Sequence, residues 1–115
     1  DFNIDNFLTT LRQYYKAAPN ETQPLYMLGI IQHSQNRNAE AAASLEKVVA
    51  AKEDPSVRYS LGILYAYYLE QPDKGLEQLQ KALDNPNTPA DLKKAVAEEV
   101  TKIKEHKNHT PQQAQ

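Results

Sequence analysis

Three histidines and the adjacent carboxylates Glu98-Glu99 are the residues of this chain that first suggest chemistry. His106 and His109 stand three apart, which on a helix brings two imidazoles to one face, as a metal site needs. They fall where the last periodic segment gives way to a polar tail, and no third ligand accompanies them, so no metal centre is expected. His33 would need a carboxylate beside it to orient the ring for general base work, and no such group is reliably placed. Glu98-Glu99 offers paired acids, but the pair lies opposite the apolar stripe Leu92–Ile103 and reads as a solvated face, with Glu98 and Lys102 four residues apart as an ion pair. There is no cysteine, hence no thiolate nucleophile, thiolate metal site or disulfide. A phosphate-cradling glycine loop, a His-Glu-x-x-His pair and a nucleophile elbow are all missing from the sequence. Asn20-Glu21-Thr22 and Asn108-His109-Thr110 match the glycosylation sequon at the frequency chance gives. The residues point to a protein that is not an enzyme and carries no cofactor.

Bulk properties narrow the alternatives. At 115 residues the chain is long enough for one domain with a modest core. Its net charge is -2, with both signs scattered, and it lacks the clustered basic excess that neutralises phosphates, so no nucleic-acid partner is expected. The longest apolar stretch, Leu61 to Leu69, is interrupted by Tyr65, Tyr67 and Tyr68. A bilayer span takes about 20 apolar residues; a soluble protein without a membrane span is expected, and no targeting signal marks a compartment. The chain opens on Asp1 rather than Met, which reads as a processed protein or a piece of a longer one. A helical domain is expected over 1–106, followed by a disordered polar tail, 107–115.

Proline marks the element boundaries. Pro19, Pro24, Pro55, Pro72, Pro86 and Pro89 all sit near ends of periodic segments, where a fixed φ and a missing N–H are tolerated. Asp54-Pro55 and Thr88-Pro89 each place a capping side chain before a first-turn proline, with Thr88 and Asp91 forming a weak capping box. Between these marks the apolar spacing is helical. Ile4, Phe7, Leu8, Leu11 and Tyr15 give a helix over 3–18. Leu25, Leu28 and Ile31 give 23–35, and Ala41, Leu45, Val48 and Val49 give 38–52. Val57, Leu61, Leu64, Tyr65 and Tyr68 give 55–69; Leu76, Leu79, Ala82 and Leu83 give 73–84; Leu92, Ala95, Val96, Val100 and Ile103 give 89–106. No strand-like alternation competes, so the expected class is all-α with six helices. Links as short as Asn36-Arg37-Asn38 and Glu70-Gln71-Pro72 force neighbouring helices antiparallel. Gly29, Gly62 and Gly75 interrupt helical patterns, where glycine is unfavourable by about 1 kcal/mol relative to alanine; close helix–helix approach would explain them.

The segment Tyr26-Met27-Leu28-Gly29-Ile30-Ile31 recurs as Tyr59-Ser60-Leu61-Gly62-Ile63-Leu64, a period of 33 residues from 26 to 59. With Tyr65, Gly75, Leu79, Ala82 and Pro86 in the second copy, and Ala41, Leu45 and Val48 in the first, the chain resembles the tetratricopeptide (TPR) repeat, whose pattern W-x₂-L-G-x₂-Y, A-x₃-F, P runs over about 34 residues. Phe7 and Leu11 resemble the second half of an earlier copy. The resemblance implies a right-handed superhelical array of antiparallel hairpins, about two and a half repeats long, with the helix after Pro89 as a polar-backed cap. Nothing comparable seals the other end, which implies either earlier repeats or a face left for a partner. The pattern departs from the family at Leu25 and Arg58, which hold the tryptophan position, and at Gln32, which holds the first tyrosine position. The second copy also has one extra residue, expected in its internal turn. Sel1-like repeats fit the period less well, and RNA-binding pentatricopeptide arrays conflict with the acidic balance.

In the family this chain resembles, the first helix of each hairpin lines the concave surface. Leu28, Ile31, Val57, Leu61, Leu64, Tyr65 and Tyr68 belong to the pairing face. That leaves Gln23, Tyr26, Ile30, His33 and Ser34 on one helix, and Ser56, Tyr59, Ile63, Ala66 and Tyr67 on the other. Exposed aromatic and aliphatic side chains mark contact surfaces, and tyrosine recurs at binding hot spots. The resemblance therefore implies a protein–protein interaction scaffold or adaptor that binds a protein or peptide segment on a tyrosine- and isoleucine-lined face. The alternative is a structural or self-association segment of a longer repeat protein, and RNA binding is a distant third. Tyr26, Ile30 and Ser60 occupy the spots where carboxylate-holding members of the family carry lysine, arginine and asparagine, so binding to chaperone tails is not expected.

Overall fold

Helix starts and stops in this protein follow from a few side chains and two left-handed backbone positions. In the computed structural model, which describes residues 3–17 and 22–108, the helices are α1 (Ile4–Ala17), α2 (Gln23–Ser34), α3 (Asn38–Ala51), α4 (Pro55–Ile63), α5 (Pro72–Asp84) and α6 (Ala90–Asn108). Asn3 caps α1, its Oδ1 accepting from the N–H groups of Asp5 and Asn6 at 3.0 and 3.2 Å. Asp54 caps α4 through the N–H of Ser56 at 2.9 Å, with Pro55 in the first turn. These acceptors satisfy N–H groups that a helix start leaves without partners. The fold is all-α, six helices among the described residues packing as sequential antiparallel pairs. Lys107 and Asn108 are helical, so α6 extends into the segment expected as tail. Pro19, the sequon residues Asn20 and Glu21, His109 and the rest of the tail lie outside the described residues, as do the side chains of Ile4 and Tyr15.

The chain divides between Glu53 and Asp54 into two compact units. In the first, α2 packs on α1 and on α3, with Leu8, Leu11, Leu25, Leu28, Ala41, Leu45 and Val48 buried. The link from α2 to α3 is a Schellman ending: Arg37 N–H donates to the Gln32 carbonyl and Asn36 N–H to that of His33, both at 2.9 Å. It turns on Asn36 in the left-handed region, φ 62°, a conformation asparagine accepts more readily than most residues. A Cβ on Gly29 would stand 2.9 Å from Leu45 Cδ2, so glycine here permits the close approach of α3.

In the second unit α5 packs between α4 and α6. Gly62 and Gly75 face each other: a Cβ on Gly75 would meet the Gly62 carbonyl oxygen at 2.7 Å, and one on Gly62 would meet Leu79 Cδ2 at 2.6 Å. Leu79, Ala82, Val96 and Ile103 form the buried cluster that seats α6, with Leu76, Leu83, Leu92 and Val100 packed around it. Thr88 does not cap α6 as the sequence suggests. Its buried hydroxyl donates instead to the Ala82 carbonyl at 2.7 Å, one of the acceptors that the end of α5 leaves open. Lys102 reaches Glu99 at 3.6 Å rather than Glu98.

The extra residue of the second copy is not in the turn. It is taken up inside the helix, where α4 continues as a π-helical turn, Leu64–Tyr68. Leu69 N–H donates to the Leu64 carbonyl at 3.0 Å, five residues back, and Gln71 N–H to that of Tyr65 at 2.8 Å. The turn that follows is conserved in geometry between the copies: Glu70 takes the left-handed conformation, φ 54°, at the place Asn36 holds in the first hairpin.

Candidate partner-binding face

On α2, at about 100° per residue, Leu25, Leu28, Gly29 and Gln32 point one way and are buried. Gln23, Tyr26, Met27, Ile30 and Ser34 fall on the opposite side. Ile30 is 43% exposed and Met27 39%; Tyr26 is half-buried, while Gln23 and Ser34 are exposed. His33 flanks this stripe with its Nδ1 at 2.7 Å from Asn38 Oδ1. The Ser34 hydroxyl donates to the Ile31 carbonyl at 2.7 Å. The structure thus brings Gln23, Tyr26, Ile30 and Ser34 onto one helix face and adds Met27, which the sequence reading passed over.

The second set divides. Tyr59 and Ala66 pack against the cluster that seats α6, so they contribute to the unit's own interior. Ser56 is exposed beside the Asp54 cap, and Ile63 is half-buried. Tyr67 is 47% exposed, and its hydroxyl donates to Glu99 Oε1 at 2.8 Å. Partial withdrawal of that hydroxyl from water, then the hydrogen bond to Glu99, its charge and the nearby Tyr59 push the phenol up to about 12. Tyr68, assigned to the pairing face from its spacing, is instead 51% exposed. An uninterrupted α-helix would align it with Leu61; the additional residue in the π-turn displaces everything after it by about 100° around the axis. The two sets belong to different compact units.

Gln32 and Arg58, two of the three positions that depart from the repeat pattern, have a common physical form. Gln32 is buried and accepts the Ser44 hydroxyl at 2.7 Å. Arg58 Nη1 donates to Oε1 of the buried Gln78 at 2.7 Å. Each hairpin therefore carries a polar pair inside its helix–helix contact, where a buried amide requires a partner. Tyr65 lies under the Lys74 ammonium, 5.4 Å from the ring centroid, within cation–π range.

No protein-family model matches the chain, and no curated protein matches it. Among the described residues no helix is long and apolar enough to cross a membrane. Charge is distributed less evenly than the sequence reading took it to be: α2 has no Asp, Glu, Lys or Arg in 12 residues. From Pro55 to Tyr68 the one such residue is Arg58, which reaches into its own hairpin.

Proposed function

We propose that this chain is a protein–protein interaction module built as a TPR-like array, and that the outer side of α2 is the part of its tyrosine- and isoleucine-lined face that contacts a partner. The observation that carries this reading is α2 itself, apolar on both sides. One side is occupied by the hairpin, while Tyr26, Met27 and Ile30 stand on the other with Ile30 43% exposed. A helix apolar all round is ordinarily buried, so the open side fits a surface that another molecule covers. The equivalence of Gly29 with Gly62, Leu45 with Leu79 and Asn36 with Glu70 supports repetition of one hairpin unit. Rigid helices lower the entropy lost on docking.

The second reading is a structural or self-association segment, and it is favoured by Tyr59 and Ala66, which pack within their own unit. Tyr59 is for that reason a poor probe of binding. The test is affinity capture from the source organism's extract with the full chain, beside Ile30→Asp and Tyr26→Ala chains of equal helicity. A partner retained by the wild type and weakened by Tyr26→Ala by about 2 kcal/mol, the hot-spot scale, is expected. Identical recoveries from all three chains would sink the assignment.

A further inference from the structure

One peptide bond of this chain has a nucleophile, a donor for developing charge and a good leaving group gathered around it. Asp54-Pro55 is the single Asp-Pro pair in the sequence. Proline makes the bond a tertiary amide with no N–H, and its ring nitrogen takes up a proton more readily than that of a secondary amide, which lets it leave. The Ser56 N–H donates to Asp54 Oδ1 at 2.9 Å. That bond turns the carboxylate toward its own main chain, and Oδ2 takes no part in it. Closure of Oδ2 on the Asp54 carbonyl carbon forms a five-membered ring, so the attack is internal and gains from proximity. The carbonyl oxygen of Asp54 accepts from the Arg58 N–H at 3.0 Å. This donor, with the positive end of α4 behind it, meets the negative charge that grows on that oxygen during attack. Asp54 and Pro55 are half-buried and Ser56 is exposed, so water reaches the bond.

We propose that the folded chain cuts itself at the Asp54–Pro55 bond in mildly acidic solution. Asp54 Oδ2 bonds to the Asp54 carbonyl carbon as the C–N bond to Pro55 breaks. The bonding pair stays on the proline nitrogen, which takes a proton from hydronium and leaves as a secondary amine. Asp54 is then the cyclic anhydride of its own two carboxyl groups. Water adds to the anhydride and opens it, so one water is consumed and nothing is oxidised or reduced. The products are residues 1–54 and 55–115. The compact units divide one bond away, between Glu53 and Asp54, and α4 begins at Pro55. Each product therefore keeps all three of its helices whole.

The test is incubation of the intact chain at about pH 4–5, where carboxylate and free acid coexist, at the most acidic value that leaves its helicity unchanged. A second sample is held at the same pH in urea, and mass spectrometry follows both. Expected are two fragments, 1–54 and 55–115, whose masses sum to that of the chain plus one water. They should form at least about threefold faster from the native chain than from the unfolded one, since only the fold supplies the Arg58 donor and the fixed carboxylate. Asp54→Ser is the control: its hydroxyl can still accept at the start of α4 but has no second oxygen to close the ring, and this chain should stay uncut at equal helicity. Scission as fast or faster in urea would mean that the fold does not promote the cut, and would overturn the inference. So would a native chain that stays intact, fragments that end at another bond, or equal scission of Asp54→Ser.

Discussion

Gly75→Ala should destabilise the second unit by about 2 kcal/mol, and the figure follows from what its new methyl would meet. The added Cβ would stand 2.7 Å from the Gly62 carbonyl oxygen, 2.9 Å from Ala66 Cβ and 3.1 Å from Ala66 N. Two of those three are backbone atoms that no rotamer change can move, so α4 and α5 must separate by several tenths of an ångström. Overpacking of this kind is unfavourable by roughly 1–3 kcal/mol. Separation also loosens the fully buried Leu79, whose contacts weaken steeply with a small gap. Alanine returns about 1 kcal/mol through helix propensity, which keeps the net near the middle of the range. Gly29→Ala is the control: its Cβ meets Leu45 Cδ2 at 2.9 Å and Cγ at 3.1 Å, side-chain atoms that can yield, so propensity and crowding roughly cancel. Urea denaturation followed by helicity reads the difference, and with a slope of about 1–2 kcal/mol/M the midpoint of Gly75→Ala should fall by about 1 M or more. A Gly75→Ala chain as stable as Gly29→Ala would refute the close approach of α4 and α5.

Three further outcomes are expected. Glu70→Gly should stabilise the chain by about 0.5–1 kcal/mol, because glutamate at φ 54° is strained where glycine is not; Asn36→Gly, at φ 62°, should change little, and the same urea titration compares them. Ser44→Ala should destabilise by about 1 kcal/mol by leaving the Gln32 side-chain Oε1 buried without its donor, and Gln32→Leu in the same chain should recover most of the loss, a coupling that a double-mutant cycle measures. Phenolate absorbance should show one tyrosine titrating near pH 12 that disappears in Tyr67→Phe. Since its folded value is raised, the stabilisation from Tyr67 is complete below the ordinary tyrosine value of about 10 and lost as pH rises through the folded one.

The all-α class and the hairpin order were legible because both rest on local chemistry. Apolar spacing, prolines at first turns and short links act over a few residues, and Asp54 caps α4 as its place before Pro55 suggests. What sequence reading missed depends on choices between competing partners. Thr88 faces two orphaned helix ends and serves Ala82 of α5, a preference set by how α6 is seated. Tyr68 left the pairing face because the helix is not uniformly α, and a fixed rotation per residue carries no warning of that. The sequence confines the extra residue only to the stretch between Leu64, 33 residues after Ile31, and Leu79, 34 after Leu45, which includes the turn; the left-handed Asn36 and Glu70, 34 apart, place it before the turn. At the site, tyrosine and isoleucine at equal positions suggested equal roles. Packing separates them, since Tyr59 lies against the buried cluster shared by α5 and α6 while Ile30 on the first hairpin remains 43% exposed.

The π-turn from Leu64 to Tyr68 also bears on how such hairpins diverge. A length difference of one codon between two copies of a motif ordinarily lands in a loop, where it alters the reach of the connection and little else. Taken into a helix, the same codon re-aims the last side chains by about a quarter turn while the glycine contact upstream and the left-handed residue downstream keep their places. One added residue within a helix can therefore change which aromatic groups a hairpin shows to its surroundings while the pairing that holds it together stays as it was.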